Sequence, residues 1–298
     1  MPRRRLWMGL AAFAALLAAG LLAVSFMVGT VASAAAPAEI GPPPEDLPVE
    51  PVTINSPSGS ALSGWYAPGR PGGGAVALLH GVRANRMQML PRARLLHRWG
   101  FSVLLFDFQA EGESPGKNVT FGWLESMDAR AAHQWLKEKA PGERIGLLGV
   151  SLGGAAAVVS DPVIEADAMV LEAVYGDFNQ AIRNRLVIRL GALGEYFEPA
   201  LRPLLSWQVK PRLGFDPAVL SPASRIARIR APVLLVAGDR DRLATIAEMR
   251  QIFANANEPK QLWIVPGAGH QDFLLSAPVD YERRVVGFLL KTLRRGKR

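Results

Sequence analysis

The sequence predicts an α/β chain: a mainly parallel sheet flanked by helices, interrupted late by a helical insertion and preceded by a transmembrane helix. Three observations carry this reading. Short apolar runs alternate with longer helical stretches over most of the chain, one long uncharged apolar stretch stands at the N-terminus, and a glycine-framed serine turn joins a predicted strand directly to a predicted helix.

The N-terminal stretch comes first. No charged residue occurs from Leu6 to Ala36, and Arg3, Arg4 and Arg5 stand immediately before it. A secretory signal needs an apolar core of only about 7–15 residues, whereas a helix crossing a bilayer needs roughly 20. Leu6–Val28 meets the longer requirement and predicts an uncleaved anchor. The alternative is a signal cleaved at Ala32-Ser33-Ala34 or Ala34-Ala35-Ala36, which would leave a secreted protein. Either way, the three arginines hold the N-terminus in the cytoplasm and place the remainder on the outer side.

Residues 37–51 carry six prolines and four acidic residues, which predicts a semi-rigid spacer. A single folded domain is then expected over 52–298. It opens with two strands, Val52–Ser56 and Leu62–Ala67, around a Ser/Gly turn. Ala75–Leu79, Ser102–Phe106, Arg144–Val150, Ala168–Leu171, Val233–Ala237 and Leu262–Val265 are short and apolar throughout, as strands buried on both faces are. Met87–Trp99, Phe121–Lys139, Ile246–Ala254 and Asp280–Leu293 have helical spacing.

Composition removes several classes of chemistry. The chain has 298 residues and no cysteine, so disulfides, thiolate metal sites and a cysteine nucleophile are excluded. Its net charge is +8, but basic residues gather at the ends, in Arg3–Arg5 and in Arg294, Arg295, Lys297 and Arg298. Next to a membrane segment such clusters read as topology signals or contacts with anionic lipid, and no nucleic-acid partner is expected.

Gly149-Val150-Ser151-Leu152-Gly153 fits G-x-S-x-G, and a small-residue helix start, Gly154-Ala155-Ala156-Ala157, follows it. The pattern alone is weak; its place between strand and helix makes it informative, because a tight turn there pushes a serine side chain outward. A serine hydroxyl needs a base, and the base an orienting carboxylate. Of four histidines, His97 and His133 fall within helical stretches and His80 ends a strand. His270 lies in the loop Pro266-Gly267-Ala268-Gly269-His270 between the last strand and the last helix, the position expected of a base. Asp241, in Gly238-Asp239-Arg240-Asp241, is the orienting acid, with Asp239 as its competitor. His80-Gly81-Val82 ends the strand from which backbone N–H groups would stabilise an oxyanion; Val82 and Leu152 are assigned as those donors. His80 is read as holding this loop.

His80-Gly81 with Asn85-Arg86, Asp107–Ser114, Gly149–Gly153, Gly238–Asp241 and Gly269-His270 together resemble the α/β-hydrolase superfamily. Within it the pattern is similar to the membrane-anchored, single-domain alpha/beta-hydrolase-domain-containing branch that borders the prolyl-oligopeptidase-like hydrolases. The resemblance covers about Val52 to Leu293. It implies an α/β-hydrolase fold, a Ser151–Asp241–His270 triad in the chain order that fold uses, and neither cofactor nor metal. One departure is visible: Asp107-Phe108-Gln109-Ala110-Glu111-Gly112-Glu113-Ser114 replaces the commoner D-x-R-G-H-G-x-S.

Between strands lies an insertion over 175–230 with Phe178, Tyr196, Phe197, Trp207 and Phe215 among basic residues that include Arg183, Arg185, Arg189, Arg202, Lys210 and Arg212. Those aromatics are expected either to form a small core of their own or, in a lid over the site, to present Trp207 and Phe215 to an acyl pocket for short or medium chains. The expected activity is carboxylic ester hydrolysis on a small-molecule ester or acyl substrate. A peptidase of the prolyl-oligopeptidase type and a catalytically silent binding protein are the alternatives.

Overall fold

The computed structural model describes residues 2–270 and 272–294, so Arg295, Lys297 and Arg298 lie outside the described residues. Eight strands form one sheet: β1 (Glu50–Asn55), β2 (Ala61–Ala67), β3 (Ala75–Leu79), β4 (Ser102–Phe106), β5 (Ile145–Val150), β6 (Ala168–Glu172), β7 (Val233–Gly238) and β8 (Lys260–Val265). Their spatial order is β8-β7-β6-β5-β3-β4-β2-β1. β1 and β2 pair antiparallel, as do β2 and β4, and every other neighbouring pair is parallel. The central strands β3, β4, β5 and β6 are apolar almost without a break because both faces are covered. Leu147 and Leu148, adjacent on β5, point into two different cores.

The helices that cover the sheet divide between those cores. On one side lies α2 (Leu90–Arg98), whose Leu95 and Leu96 pack with Val103 and Leu105, while α1 (Pro2–Ser33) belongs to neither core. On the other face α3 (Trp123–Lys139) and α4 (Leu152–Val159) bury Ala129, Ala132, Ala155 and Ala156 against Leu79 and Leu147. The alanines allow α3 and α4 to lie close together. The insertion holds α5 (Phe178–Leu190), α6 (Ala192–Trp207) and α7 (Val209–Leu213), and α8 (Ile246–Asn255) returns to the sheet.

Three expectations change. Residues 280–293 are not one regular helix: Pro278–Tyr281 and Gly287–Leu293 are α-helical, and Glu282–Val286 between them has π-helical pairing. The bulge keeps Tyr281, Val285, Val286 and Leu289 all buried, a set too broad for one straight stripe. Residues 37–51 do not stand free of the domain. Ala36 and Pro37 pair in parallel with Glu111 and Gly112, the Arg94 guanidinium pairs with Asp46 at 2.7 Å, and Leu47 is buried. The aromatics of the insertion divide. Phe178 and Phe215 join a small core with Val159, Val209 and Leu220, whereas Tyr196 and Trp207 are 78% and 71% exposed.

Candidate active site

Strand β5 delivers Ser151 to the sheet's C-terminal edge through a turn that only glycine neighbours permit. Ser151 has φ +50° and ψ −108°, a region that side-chain-bearing residues avoid. Its N–H donates to the Glu172 carbonyl at 2.7 Å and its carbonyl accepts from the Ala155 N–H at 3.0 Å, so both ends of the strained residue are pinned. A Cβ on Gly149 would stand 2.5 Å from the Gly154 nitrogen, and one on Gly153 would stand 2.3 Å from the Leu79 carbonyl oxygen. The turn is therefore closed to any larger residue on either side.

His270 and Asp241 come from the loops after β8 and β7 and meet directly. His270 Nδ1 lies 2.8 Å from Asp241 Oδ2, with the aspartate side chain fully buried and the histidine side chain 26% exposed. The other carboxylate oxygen, Oδ1, accepts from the Leu243 and Ala244 N–H groups at 2.8 and 2.9 Å. An ionised carboxylate only accepts, so Nδ1 carries the imidazole proton and Nε2 keeps its lone pair. Asp239 is committed elsewhere: its Oδ1 accepts from the Gly267 N–H at 2.7 Å and fixes the turn ahead of His270.

Ser151 and His270 line one cavity of about 420 Å³ together with Gly81, Val82, Arg92 and Asp272. Val82 stands between two occupied amides. The Gly81 N–H donates to Gln88 Oε1 at 2.7 Å and the Arg83 N–H donates to the Glu111 carboxylate. Among the described residues the Val82 N–H has no acceptor. Leu152 is the first residue of α4, where N–H groups lack partners within the helix and the helix dipole is positive. Two donors thus flank Ser151 from different elements.

His80 is buried and accepts the Phe108 N–H on Nε2 at 3.0 Å, while its Nδ1–H donates to the Gly81 carbonyl at 2.8 Å. Burial pushes its pKa down to about 4, so it stays neutral and holds the loop that presents Val82.

Several residues of the site escaped sequence reasoning. Arg92, 1% exposed, binds the Glu172 carboxylate at 2.7 Å and Asp272 at 2.8 Å, tying the segment after His270 to the end of β6. Its signal, an arginine inside an apolar helix stripe, was present but ambiguous. Glu111 belongs to the one loop that departs from the usual pattern, and its carboxylate supports the residue after Val82. Of the insertion's basic residues named from the sequence, Arg185 and Arg189 line the serine cavity. Trp207 and Phe215 do not: Phe215 stacks on Trp123 with ring centroids 5.5 Å apart, and Trp207 faces outward.

A sheet with this strand order and a serine on the sharp turn after β5 defines an α/β-hydrolase fold. The model of the alpha/beta hydrolase family matches residues 71–284, and the chain belongs to that family. An uncharacterized protein of Mycobacterium tuberculosis is 33% identical over 240 residues, spanning 78% of this chain and 77% of its own length. An uncharacterized protein of Bacillus subtilis is 25% identical over 245 residues, with 79% and 77% covered. Among solved structures, an esterase of Pyrococcus furiosus superposes with a TM-score of 0.70 and 27% identity, covering 87% of this chain and 98% of its own. The chain is a hydrolase with esterase structural neighbours.

Proposed function

We propose that the protein is a membrane-anchored serine hydrolase that cleaves carboxylic esters through an acyl-enzyme on Ser151. The observation that carries this reading is the 2.8 Å Asp241–His270 pair sharing one cavity with Ser151. His270 Nε2 takes the proton as Ser151 Oγ attacks the ester carbonyl, and the carbonyl oxygen, now anionic, accepts from the Val82 and Leu152 N–H groups. The same imidazolium gives its proton to the departing alcohol. Water then attacks the acyl-enzyme with His270 again as base, releasing the acid and restoring Ser151. The likeness to an esterase of Pyrococcus furiosus supports ester cleavage over amide cleavage. In this reading residues 1–36 form the anchor, with Arg3–Arg5 on the cytoplasmic side. Residues 52–298 form the catalytic domain on the outer side, and 175–230 its cap.

The test is labelling by a fluorophosphonate, followed by turnover of p-nitrophenyl esters beside an aminoacyl-p-nitroanilide. The expected result is one adduct on Ser151, lost in Ser151→Ala together with ester turnover, and little cleavage of the anilide. Labelling that survives in Ser151→Ala, or anilide cleavage that outpaces every ester, overturns the assignment.

A further inference from the structure

A second cavity, of about 540 Å³, meets the first at Ser151. Its far wall is the N-terminal helix itself. Met27, Val28, Gly29, Val31 and Ala32 of α1 line one side, and apolar residues of α5 and α7 line the other. The helix is held there by specific contacts. Gln208 Nε2 donates to Ser25 Oγ and to the Ser25 carbonyl at 2.9 and 3.0 Å, Arg212 Nη1 donates to Thr30 Oγ1 at 2.6 Å, and Asn118 Nδ2 donates to the Ser33 carbonyl at 3.1 Å. The Arg212 guanidinium also lies 4.4 Å from the centroid of the Phe26 ring. At Gly29 the helix runs close to the Gln208 side chain, whose Oε1 would stand 2.3 Å from a Cβ there.

The length of α1 fixes where this cavity sits. A hydrocarbon core about 30 Å thick takes roughly 20 helical residues, and Leu6–Ser25 meets that length with no charged side chain. Hydrogen bonds from the rest of the chain to the helix begin at Ser25, so the last turns of the helix, Phe26–Ser33, emerge from the bilayer as part of the cavity wall. Beside them α6, which packs against α1, exposes Leu193, Tyr196 and Trp207. Aromatic residues of this kind settle at the headgroup boundary. The surface that borders the cavity is thus continuous with a helix whose exposed apolar side chains require lipid.

The polar side of the junction has its own signature. Arg185 and Arg189 line both cavities, and among the described residues neither forms an ion pair with a carboxylate. Arg185 is half-buried and Arg189 exposed, and guanidinium groups that line a cavity without a salt-bridge partner favour an anionic ligand.

We propose that the substrate is an acyl ester of an anionic membrane lipid, whose chain reaches Ser151 between the anchor helix and the cap and whose headgroup faces Arg185 and Arg189. The proposal rests on the ester hydrolase reading above. It makes the anchor a part of the binding site, with Met27 and Val31 as residues that set chain length.

The experiment uses the full-length enzyme reconstituted in lipid nanodiscs. Val31→Trp narrows the passage, and the ratio of kcat/KM for p-nitrophenyl palmitate to that for the acetate falls about tenfold, the scale on which apolar pockets discriminate by size. Met27→Trp, at an independent point on the same wall, shifts the ratio in the same direction. Leu16→Trp, in the lipid-facing middle of the helix, keeps the wild-type ratio. With phosphatidylglycerol or phosphatidylcholine nanodiscs, the wild type releases fatty acid faster from the anionic lipid, and Arg189→Gln reduces that preference about tenfold, the scale of one charge-assisted hydrogen bond. Fluorophosphonate labelling of Ser151 in each variant shows that it is folded. If the labelled Trp variants keep the wild-type ratio, or the two lipids are cleaved alike, this proposal fails while the esterase reading stands. If no ester is cleaved in a Ser151-dependent way, both fail.

Discussion

Asp241 and Asp239 are two residues apart on one loop and their environments assign them different work. Asp241 points one oxygen at His270 and saturates the other with two backbone N–H groups, whereas Asp239 spends itself on the turn at Gly267. Asp241→Asn would therefore present an amide where the imidazole needs an acceptor. The expected loss is on the order of 10⁴ in kcat, while Asp239→Asn costs far less, and steady-state kinetics of the two variants on one ester checks the ranking. Equal losses would return the assignment to an open choice between them. The turn at Ser151 gives a second expectation. Gly153→Ala drives a Cβ against the rigid Leu79 carbonyl, which should lower stability by about 1–3 kcal/mol and reduce labelling of Ser151. Denaturant melts and probe labelling report the two effects separately. The Asp241–His270 contact and the sharp turn at Ser151 were legible because each residue sits in a short motif at the end of an apolar run. Arg92 and Glu111 were not, because what each does depends on partners tens of residues away.

The loop between β4 and α3 shows how an element departs from a family pattern and still holds the site. Asp107 accepts from the Arg86 N–H at 2.7 Å and the Glu113 N–H at 2.9 Å, pairs with the Arg86 guanidinium at 2.9 Å, and so fixes both ends of the turn. Glu111 is buried there, and burial, with repulsion from Glu125 adding to it, pushes its pKa up to about 8 against the opposing Arg83 N–H. Burial also raises Asp128 to about 7, while His80 falls to about 4. The signs oppose one another. Glu111 and Asp128 bind protons more tightly when folded, so they withdraw stability as pH rises from the ordinary carboxyl range toward about 8. His80 resists protonation when folded, so its contribution is lost as pH falls from its ordinary value toward about 4. Glu111→Gln imitates the protonated acid. Its urea midpoint should decline less than that of the wild type between about pH 6 and pH 8, with Asp128 keeping the remainder of the slope. Identical slopes would mean that Glu111 is ionised in the folded protein at neutral pH. At this scale the strands were readable to within one or two residues, since runs such as Ser102–Phe106 end at turn residues. The π-helical stretch at Glu282–Val286 was not, because the width of a buried stripe is set by the partner surface and not by local period.

Over the whole molecule, the N-terminal helix and the α/β-hydrolase fold pack against each other, and this bears on how the N-terminus is processed. Helix α1 continues to Ser33, beyond the end of the expected span at Val28, and its last two turns are fastened by Gln208, Arg212, Asn118 and Arg83. Arg83 Nη1 donates to the Val31 and Ala34 carbonyls at 3.3 Å, satisfying acceptors that a helix end leaves open. Ala34 bridges to Asn118 and the Ala36 N–H donates to the Ala110 carbonyl at 2.7 Å, so the small-residue segment that resembles a cleavage site is paired backbone in the folded protein. Removing the helix would take Ser25 from Gln208 and Thr30 and Phe26 from Arg212, and would open the apolar wall formed by Ala181, Ile182 and Leu186 to water. Losing several hydrogen bonds to water and exposing that wall costs stability at two levels, about 0.5–1.5 kcal/mol for each hydrogen bond exchanged for water and roughly 25 cal/mol for each Å² of apolar surface uncovered. The mature protein is therefore expected to keep its first helix, to remain with the membrane after washing at high salt, and to expose its catalytic domain to added protease only from the outer face. Intact-mass measurement on the native protein decides the matter: an N-terminus before Arg3 fits an anchor that walls the site, and one at Ala35 or Pro37 means a cleaved signal and a cavity open on that side.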